Sequence, residues 1–428
     1  MTSDDNRPGE HLPRPVSSLP GWAELASPAG SELLAAAAAL RADGSAFDRV
    51  SAKLRRQSDD TDLIAAALTV TGLRERAGAK FGPLAPELLL TQAGLEQASR
   101  FVVANLHAAR FSGCDTVADL GCGLGAESLA LLCAGIGVRA VELDPLTAAF
   151  AKHNLGVAAR ALAESRGSAP SVDVIVGDAT VVGPGEAEGV FLDPARRTAG
   201  HRDTRRVHAD DYSPSLDFAF ASARAAHTGG VKLGPGLDRE LIPVDAEAQW
   251  VSVDGQLVEM GLWFGAGARP GVRRAATVLR GGGSPEHTAA VHELLAADDA
   301  PDADVRGIGE YLLEPDGAVI RARLIGLLAA ELDAGMLHEG IAYLSTDREP
   351  TTPFAQVFRV VEELPTREKE LKRALAQRGI GRLEIKKRGV DVDPAALRTR
   401  LRLKGPESAT LVLSRSAGRH VALLAERC

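Results

Sequence analysis

The stretch Val117–Gly125 reads VADLGCGLG, and its residue types can do chemistry. Gly121, Gly123 and Gly125 follow a strand-like run and open a helical one. Without Cβ atoms, such a turn lets the backbone approach a ligand closely, and the helix N-terminus adds oriented N–H donors. The spacing is GxGxG, not the GxGxxG of a nicotinamide-binding turn. Asp119, two residues before Gly121, would repel a pyrophosphate but suits a ligand carrying an ammonium and a sulfonium group. Three more acids follow or end strand-like runs. Glu142 lies 21 residues after Gly121, where a carboxylate can accept hydrogen bonds from ribose hydroxyls. Asp178, in GDAT, can accept one from an adenine amino group, and Asp193 opens DPARR. Ligands of open α/β sheets bind at the carboxyl ends of the strands, so the four acids form one ordered candidate site. Taken singly, any of them could instead cap a helix.

The elements that must hold these residues follow from periodicity. Strand-like runs at Thr116–Leu120, Val138–Leu143, Val172–Val176, Gly189–Leu192 and Gly230–Leu233 alternate with helical stretches. That alternation predicts a parallel sheet covered by helices on both faces. Trp250–Val253, Asp254-Gly255 and Gln256–Phe264 predict an antiparallel hairpin at its end. Before the sheet, residues 21–90 read as a helical domain, and Thr91–Arg110 as one long helix with Leu95, Ala98, Phe101, Val102 and Leu106 on one face. The proline-rich residues 1–20 read as a disordered tail. The sheet domain is expected over 91–280. Residues 281–350 read as a linker and a helical or ferredoxin-like segment, its helical pattern clearest at Asp316–Glu331, and 351–428 as a small α+β domain.

This ordered set resembles the class I S-adenosylmethionine-dependent methyltransferases over roughly Leu90–Ala266. The resemblance implies a Rossmann-like sheet, parallel with a terminal antiparallel hairpin, and S-adenosyl-L-methionine as cofactor. It further implies that Asp119, Gly121, Gly123 and Gly125 hold the methionine end, Glu142 the ribose and Asp178 the adenine. Asp193-Pro194-Ala195-Arg196 resembles the Asp/Asn-Pro-Pro-aromatic loop of methyltransferases that act on exocyclic amino groups. There the acid and a proline carbonyl accept hydrogen bonds from the amine, which makes Asp193 and Pro194 the candidate catalytic residues. Arg196 stands where the base-stacking aromatic would be. LEIKKRGVDVDPAALRTRLRLKG, YLLEPDGAVIRA and TQAGLEQASR also resemble a bacterial methyltransferase family with a C-terminal THUMP-like domain. THUMP domains are RNA-binding modules of RNA-modifying enzymes, so RNA is the expected partner.

Charge agrees with an anionic acceptor. The whole chain has 49 Lys and Arg against 57 Asp and Glu, a net charge of −8. Yet Arg196–His208 holds five arginines against Asp203, and Ile380–Lys404 eight basic residues against three acids. Arg196, Arg197, Arg202, Lys386 and Arg388 are therefore candidate substrate contacts. In an extended strand Lys386 and Arg388 share a face and Lys387 points the other way. The alternative for both clusters is a solvated, salt-bridged surface.

Cys114, Cys122, Cys133 and Cys428 show no CxxC spacing, so no metal site is expected, and a reducing cytoplasm is the natural setting. No cysteine lies near the Asp193 loop, which disfavours a cysteine-adduct mechanism. The longest apolar runs fall far short of the roughly 20 residues of a membrane span. The expected function is methylation of RNA, rRNA or tRNA, at a nitrogen or oxygen by direct in-line transfer. The alternatives are a methyltransferase for a protein or small acidic metabolite, with the C-terminal domain serving dimerisation, and a non-catalytic RNA-binding protein that retains the cofactor fold.

Overall fold

The computed structural model describes residues 21–196, 212–281 and 289–428; the expected tail at 1–20 lies outside them. The chain opens with helices α1 (Pro28–Ala42), α2 (Phe47–Leu54), α3 (Thr61–Arg76) and α4 (Gly78–Phe81). Ser27 caps α1 by accepting from the Gly30 N–H, with Pro28 in the first turn, where no N–H is needed. Asp60 caps α3 through the Asp62 and Leu63 N–H groups. Leu33, Leu34, Val50, Leu63, Val70 and Leu73 of these helices are buried in one cluster with the helices that cover the sheet.

The long helix expected at Thr91–Arg110 divides into α5 (Gln92–Gln97) and α6 (Phe101–Arg110). Its apolar spacing is continuous, but Ala98 and Arg100 have extended ψ values of 140° and 143°. The break leaves the Ser99 hydroxyl outside any helix, where it accepts from Lys232 Nζ at 3.0 Å.

The first sheet is built from β1 (Thr116–Leu120), β2 (Gly137–Glu142), β3 (Val172–Val176) and β4 (Gly189–Leu192), connected by α7 (Ala126–Cys133), α8 (Pro145–Arg166) and α9 (Ala179–Val182). A two-residue ladder of β5 (Ala195–Arg196) and β6 (Tyr212–Ser213) precedes α10 (Leu216–Ala225) and β7 (Thr228–Leu233). β8 (Glu247–Val253) and β9 (Gln256–Gly265) form the hairpin expected at Asp254-Gly255, with both turn residues at positive φ. β10 (Arg274–Arg280) and β11 (Ala290–Ala296) extend the sheet beyond the hairpin, giving the order β11-β10-β8-β9-β7-β4-β1-β2-β3. β9 runs antiparallel to β7, while β7, β4, β1, β2 and β3 are mutually parallel. The strand order reverses between β1 and β4, which opens a crevice at their carboxyl ends.

The 281–350 stretch, expected as helical or ferredoxin-like, contains four strands among its described residues. In β11 the spacing of Val291, Leu294 and Leu295 suits a helix as well as an edge strand, and pairing with β10 decides it. β12 (Tyr311–Pro315), β13 (Gly335–His338) and β14 (Ile341–Thr346) belong to a second sheet. The helix expected at Asp316–Glu331 is α11 (Gly317–Arg321) and α12 (Ile325–Glu331), separated where Arg323 takes a φ of 61°. The second sheet continues through β15 (Ala355–Leu364), α13 (Glu368–Gln377), β16 (Ile380–Lys387), α14 (Pro394–Leu401), β17 (Glu407–Ser416) and β18 (Arg419–Arg427). Its order is β13-β14-β12-β15-β18-β17-β16. Leu371, Leu375, Leu397 and Leu401 of α13 and α14 cover one face of β16–β18. α11 packs on β8 and β10, so Val319 shares a core with Trp250 and Val278 of the first sheet.

Candidate active site

Gly121, Gly123 and Gly125 adopt φ values of 91°, 55° and 86°, a region costly for side chains with a Cβ. The Gly121 and Cys122 N–H groups donate to Val141 O at 2.8 and 3.0 Å, and Gly123 N–H donates to Glu142 Oε2 at 3.0 Å. The turn is thereby fastened to the end of β2. No atom comes within 4 Å of where a Cβ would stand on Gly121 or Gly123, so both face open space. From behind, the buried Asn154 amide of α8 donates to Leu124 O and to Leu89 O, each at 3.0 Å.

Strand register explains which acids meet. Asp119 aligns with Phe191, Phe191 with Gly230, and Gly230 with Trp263. Lys232 aligns with Gly261. Side chains alternate along a strand, so Asp119, Phe191, Asp193, Lys232, Glu259 and Trp263 share one face. Helices α6 and α7 cover that face, and His107 of α6 lies 5.4 Å from the Phe191 ring and 5.6 Å from Trp263, centroid to centroid.

The polar groups of this face form a connected cluster. Asp119 is 2% exposed and accepts from the Ser128 hydroxyl at 2.6 Å. Burial drives its carboxyl up to about 7, with the Ser128 hydrogen bond opposing. His107 bridges Glu127 Oε2 through Nδ1 at 3.0 Å and Glu259 Oε1 through Nε2 at 2.6 Å. Burial alone would lower the imidazole pKa, but Glu259 and Glu127 outweigh it and raise it to about 10. Burial disfavours the Glu127 carboxylate as well, yet His107 and Lys232 bring it down to about 2. Lys232 Nζ lies 2.5 Å from Asp193 Oδ2. Burial raises the Asp193 carboxyl above the ordinary aspartate value, and Lys232 opposes the rise. Burial would lower the Lys232 ammonium, but Asp193, Glu127 and Glu259 keep it above the ordinary lysine value.

Other candidate residues stand as follows. Glu142, half-buried, also accepts from the Asp144 N–H at 2.9 Å. Asp178 is exposed, two residues beyond β3, and caps α9 by accepting from Thr180 N–H and Oγ1 at 2.8 and 2.7 Å. Pro194 is buried, and Arg196 is exposed on the β5–β6 ladder. Arg197 and Arg202 lie outside the described residues. Lys386 of β16 and Arg388, one residue beyond its end, reach the same side, as the alternation predicts, and both approach Glu314, at 2.9 and 3.6 Å. Lys386 also lies 3.5 Å from Glu384, and Arg388 stacks over Tyr343.

Comparison with known proteins decides the family. An uncharacterized S-adenosylmethionine-dependent methyltransferase of Mycobacterium tuberculosis is 36% identical over 355 residues, covering 81% of this chain and 91% of that protein. This chain belongs to the S-adenosylmethionine-dependent methyltransferases. A solved structure described as a methyltransferase, from Porphyromonas gingivalis W83, shares the fold with a TM-score of 0.72 at 21% identity. It covers 93% of this chain and 98% of its own. Residues 355–427 match the THUMP domain-like family, and 18–77 match a domain of unknown function.

The methyltransferase uses S-adenosylmethionine, and the open cradle over Gly121 and Gly123 beside two acids fits a cationic ligand with a ribose. Among the described residues there is no cluster of three or more metal-ligating side chains, and no helix is long and apolar enough to cross a membrane. Sequence reasoning missed Ser99, His107, Glu127, Lys232 and Glu259. One signal was available: a lysine in the apolar strand GGVKL, at the position of the strand end where the acids cluster.

Proposed function

We propose that this methyltransferase modifies RNA at a nitrogen or oxygen by direct in-line transfer, with Asp193 at the acceptor. The observation that carries the acceptor assignment is the Asp193–Lys232 contact at the carboxyl ends of β4 and β7, beside the glycine turn. In this reading Asp119 and the three glycines hold the methionine end, Glu142 the ribose and Asp178 the adenine. Bound S-adenosylmethionine supplies an electrophilic methyl group on a sulfonium. The chain's own acid–base task is smaller: as the acceptor atom is alkylated, Asp193 takes its proton, and Pro194 helps to orient it. Most of the acceleration then comes from positioning in a site that excludes water.

The RNA assignment is supported by the THUMP domain-like match and by a groove between β16–β18 and α14 whose lining includes Arg382, Arg398 and Arg427 alongside Glu384 and Glu426. Arg196, Arg197 and Arg202 follow Asp193 closely in sequence and would add positive charge for an anionic acceptor. A second reading, transfer to a protein or small acidic metabolite, is favoured by one observation: Lys386 and Arg388 share Glu314, which leaves less charge for phosphate. Mass spectrometry of nucleosides from cells with and without the protein separates the readings. A methylated nucleoside lost with the protein supports RNA. An unchanged nucleoside profile, with label from methyl-tritiated cofactor entering protein or small molecules, overturns it.

A further inference from the structure

Lys232 is the odd residue of its strand. Thr228, Gly229, Gly230, Val231 and Leu233 around it are all buried, yet it carries a charge into the same layer. The register produces its contact with Asp193: Leu192 aligns with Val231, so one residue further along the parallel pair Asp193 comes beside Lys232. The lysine side chain is 11% exposed and the aspartate 38%, so the carboxylate opens outward while the ammonium stands behind it. The ammonium is itself held by the Ser99 hydroxyl at 3.0 Å.

We infer that Lys232 is a positioning residue for the acceptor carboxylate, fixing Asp193 in orientation and in its charged form from behind the site. The inference rests on the assignment of Asp193 to the acceptor. The groups around this pair come from every packed element: Asp119 of β1, Glu127 of α7, Glu259 of β9 and His107 of α6. Glu127 and Glu259 repel Asp193, and His107 is committed to those two acids. The nearby cation Lys80 of α4 donates to Glu96 O at 2.6 Å, and burial, then repulsion from Lys232 and Arg100, lowers its pKa. Arg100 bonds Gln256. Among the described residues, Lys232 is thus the cation that contacts Asp193 against two buried carboxylates. A proton acceptor must be ionised before transfer, so the lysine sets how much of the enzyme is competent at neutral pH.

The test uses the full chain labelled with carboxyl-13C aspartate, titrated by NMR. The Asp193 signal is the one missing from Asp193→Asn. In Lys232→Met its midpoint should rise by about one pH unit or more, and Lys232→Arg should restore it. S-adenosylhomocysteine affinity, measured by calorimetry at about pH 9, where Asp119 is ionised in both proteins, should change less than about threefold, because Lys232 does not contact the glycine turn. If Lys232→Met does not fold, Lys232→Gln, which keeps the stem and a donor, replaces it. An unmoved midpoint in a folded variant overturns the inference. Failure of the acceptor reading shows separately: Asp193→Asn would retain full transfer from tritiated cofactor to RNA taken from cells lacking the protein.

Discussion

Asp119→Asn should change stability in a way that depends on pH, and the structure supplies the size. The carboxyl is 2% exposed and titrates at about 7 in the folded chain, against about 3.9 for an unfolded aspartate. The raised value means that the folded state holds the proton more tightly. Its contribution is therefore intact below about pH 4 and is lost as pH rises towards 7. Each pH unit in that window costs about 1.4 kcal/mol, so the loss is about 3 kcal/mol between pH 5 and 7 and flat beyond. Asparagine cannot ionise and can still accept from the Ser128 hydroxyl. Its amide lacks the aspartate's charge at every pH, and any unpaired N–H there costs a constant amount. The variant-minus-native difference should accordingly move by about 3 kcal/mol in favour of asparagine between pH 5 and 8. Glu127 at about 2 and His107 at about 10 keep their charges across this range, so they cancel in the difference. Urea unfolding followed by tryptophan fluorescence measures it, since Trp22, Trp250 and Trp263 all precede the THUMP domain-like region. The same ionisation should strengthen cofactor binding as pH rises from 6 to 8, and Asp119→Asn should flatten that dependence. A stability difference equal at pH 5 and 8 within 1 kcal/mol would show that Asp119 is ionised throughout, and the burial argument would fail.

Three further outcomes follow from the geometry. Glu142→Ala removes both acceptors of the Gly123 and Asp144 N–H groups and should weaken S-adenosylmethionine binding by about 1.5–3 kcal/mol in calorimetry. Gly94→Ala would bring a Cβ to 2.4 Å from Leu124 Cδ1, pushing on the glycine turn; cofactor affinity should fall by about tenfold, an overpacking effect of 1–3 kcal/mol at most. Replacing Lys386 and Arg388 together by Ala should lower the salt slope of RNA binding by roughly 0.7 rather than twice that, because both cations share Glu314. Filter binding over a salt series reads it, and an unchanged slope removes both residues from the interface.

The proposed cofactor half of the candidate site could be read from the sequence because its parts lie at strand ends of fixed spacing. Asp119, the three glycines and Glu142 need one strand–turn–helix and the next strand, and hydrogen bonds from Gly121 and Cys122 to Val141 and from Gly123 to Glu142 fasten the turn to β2. The proposed acceptor half was only partly legible. Asp193 announces itself next to Pro194, but its partner Lys232 lies 39 residues on, beyond α10, and its contact exists only through the β4–β7 register. His107, Glu127 and Glu259 are spread over more than 150 residues and meet on one sheet face because α6 and α7 are folded over it. Periodicity reads such residues as ordinary helix or strand positions, and it also missed the break at Ala98–Arg100 that brings Ser99 to Lys232. A buried charge must find a partner, so the informative sequence signal is a charge in an otherwise apolar strand. Lys232 in GGVKL carries that signal, and its counter-charge has to come from a neighbouring strand end. In a sheet whose order reverses between β1 and β4, that strand is β4 and the residue is Asp193.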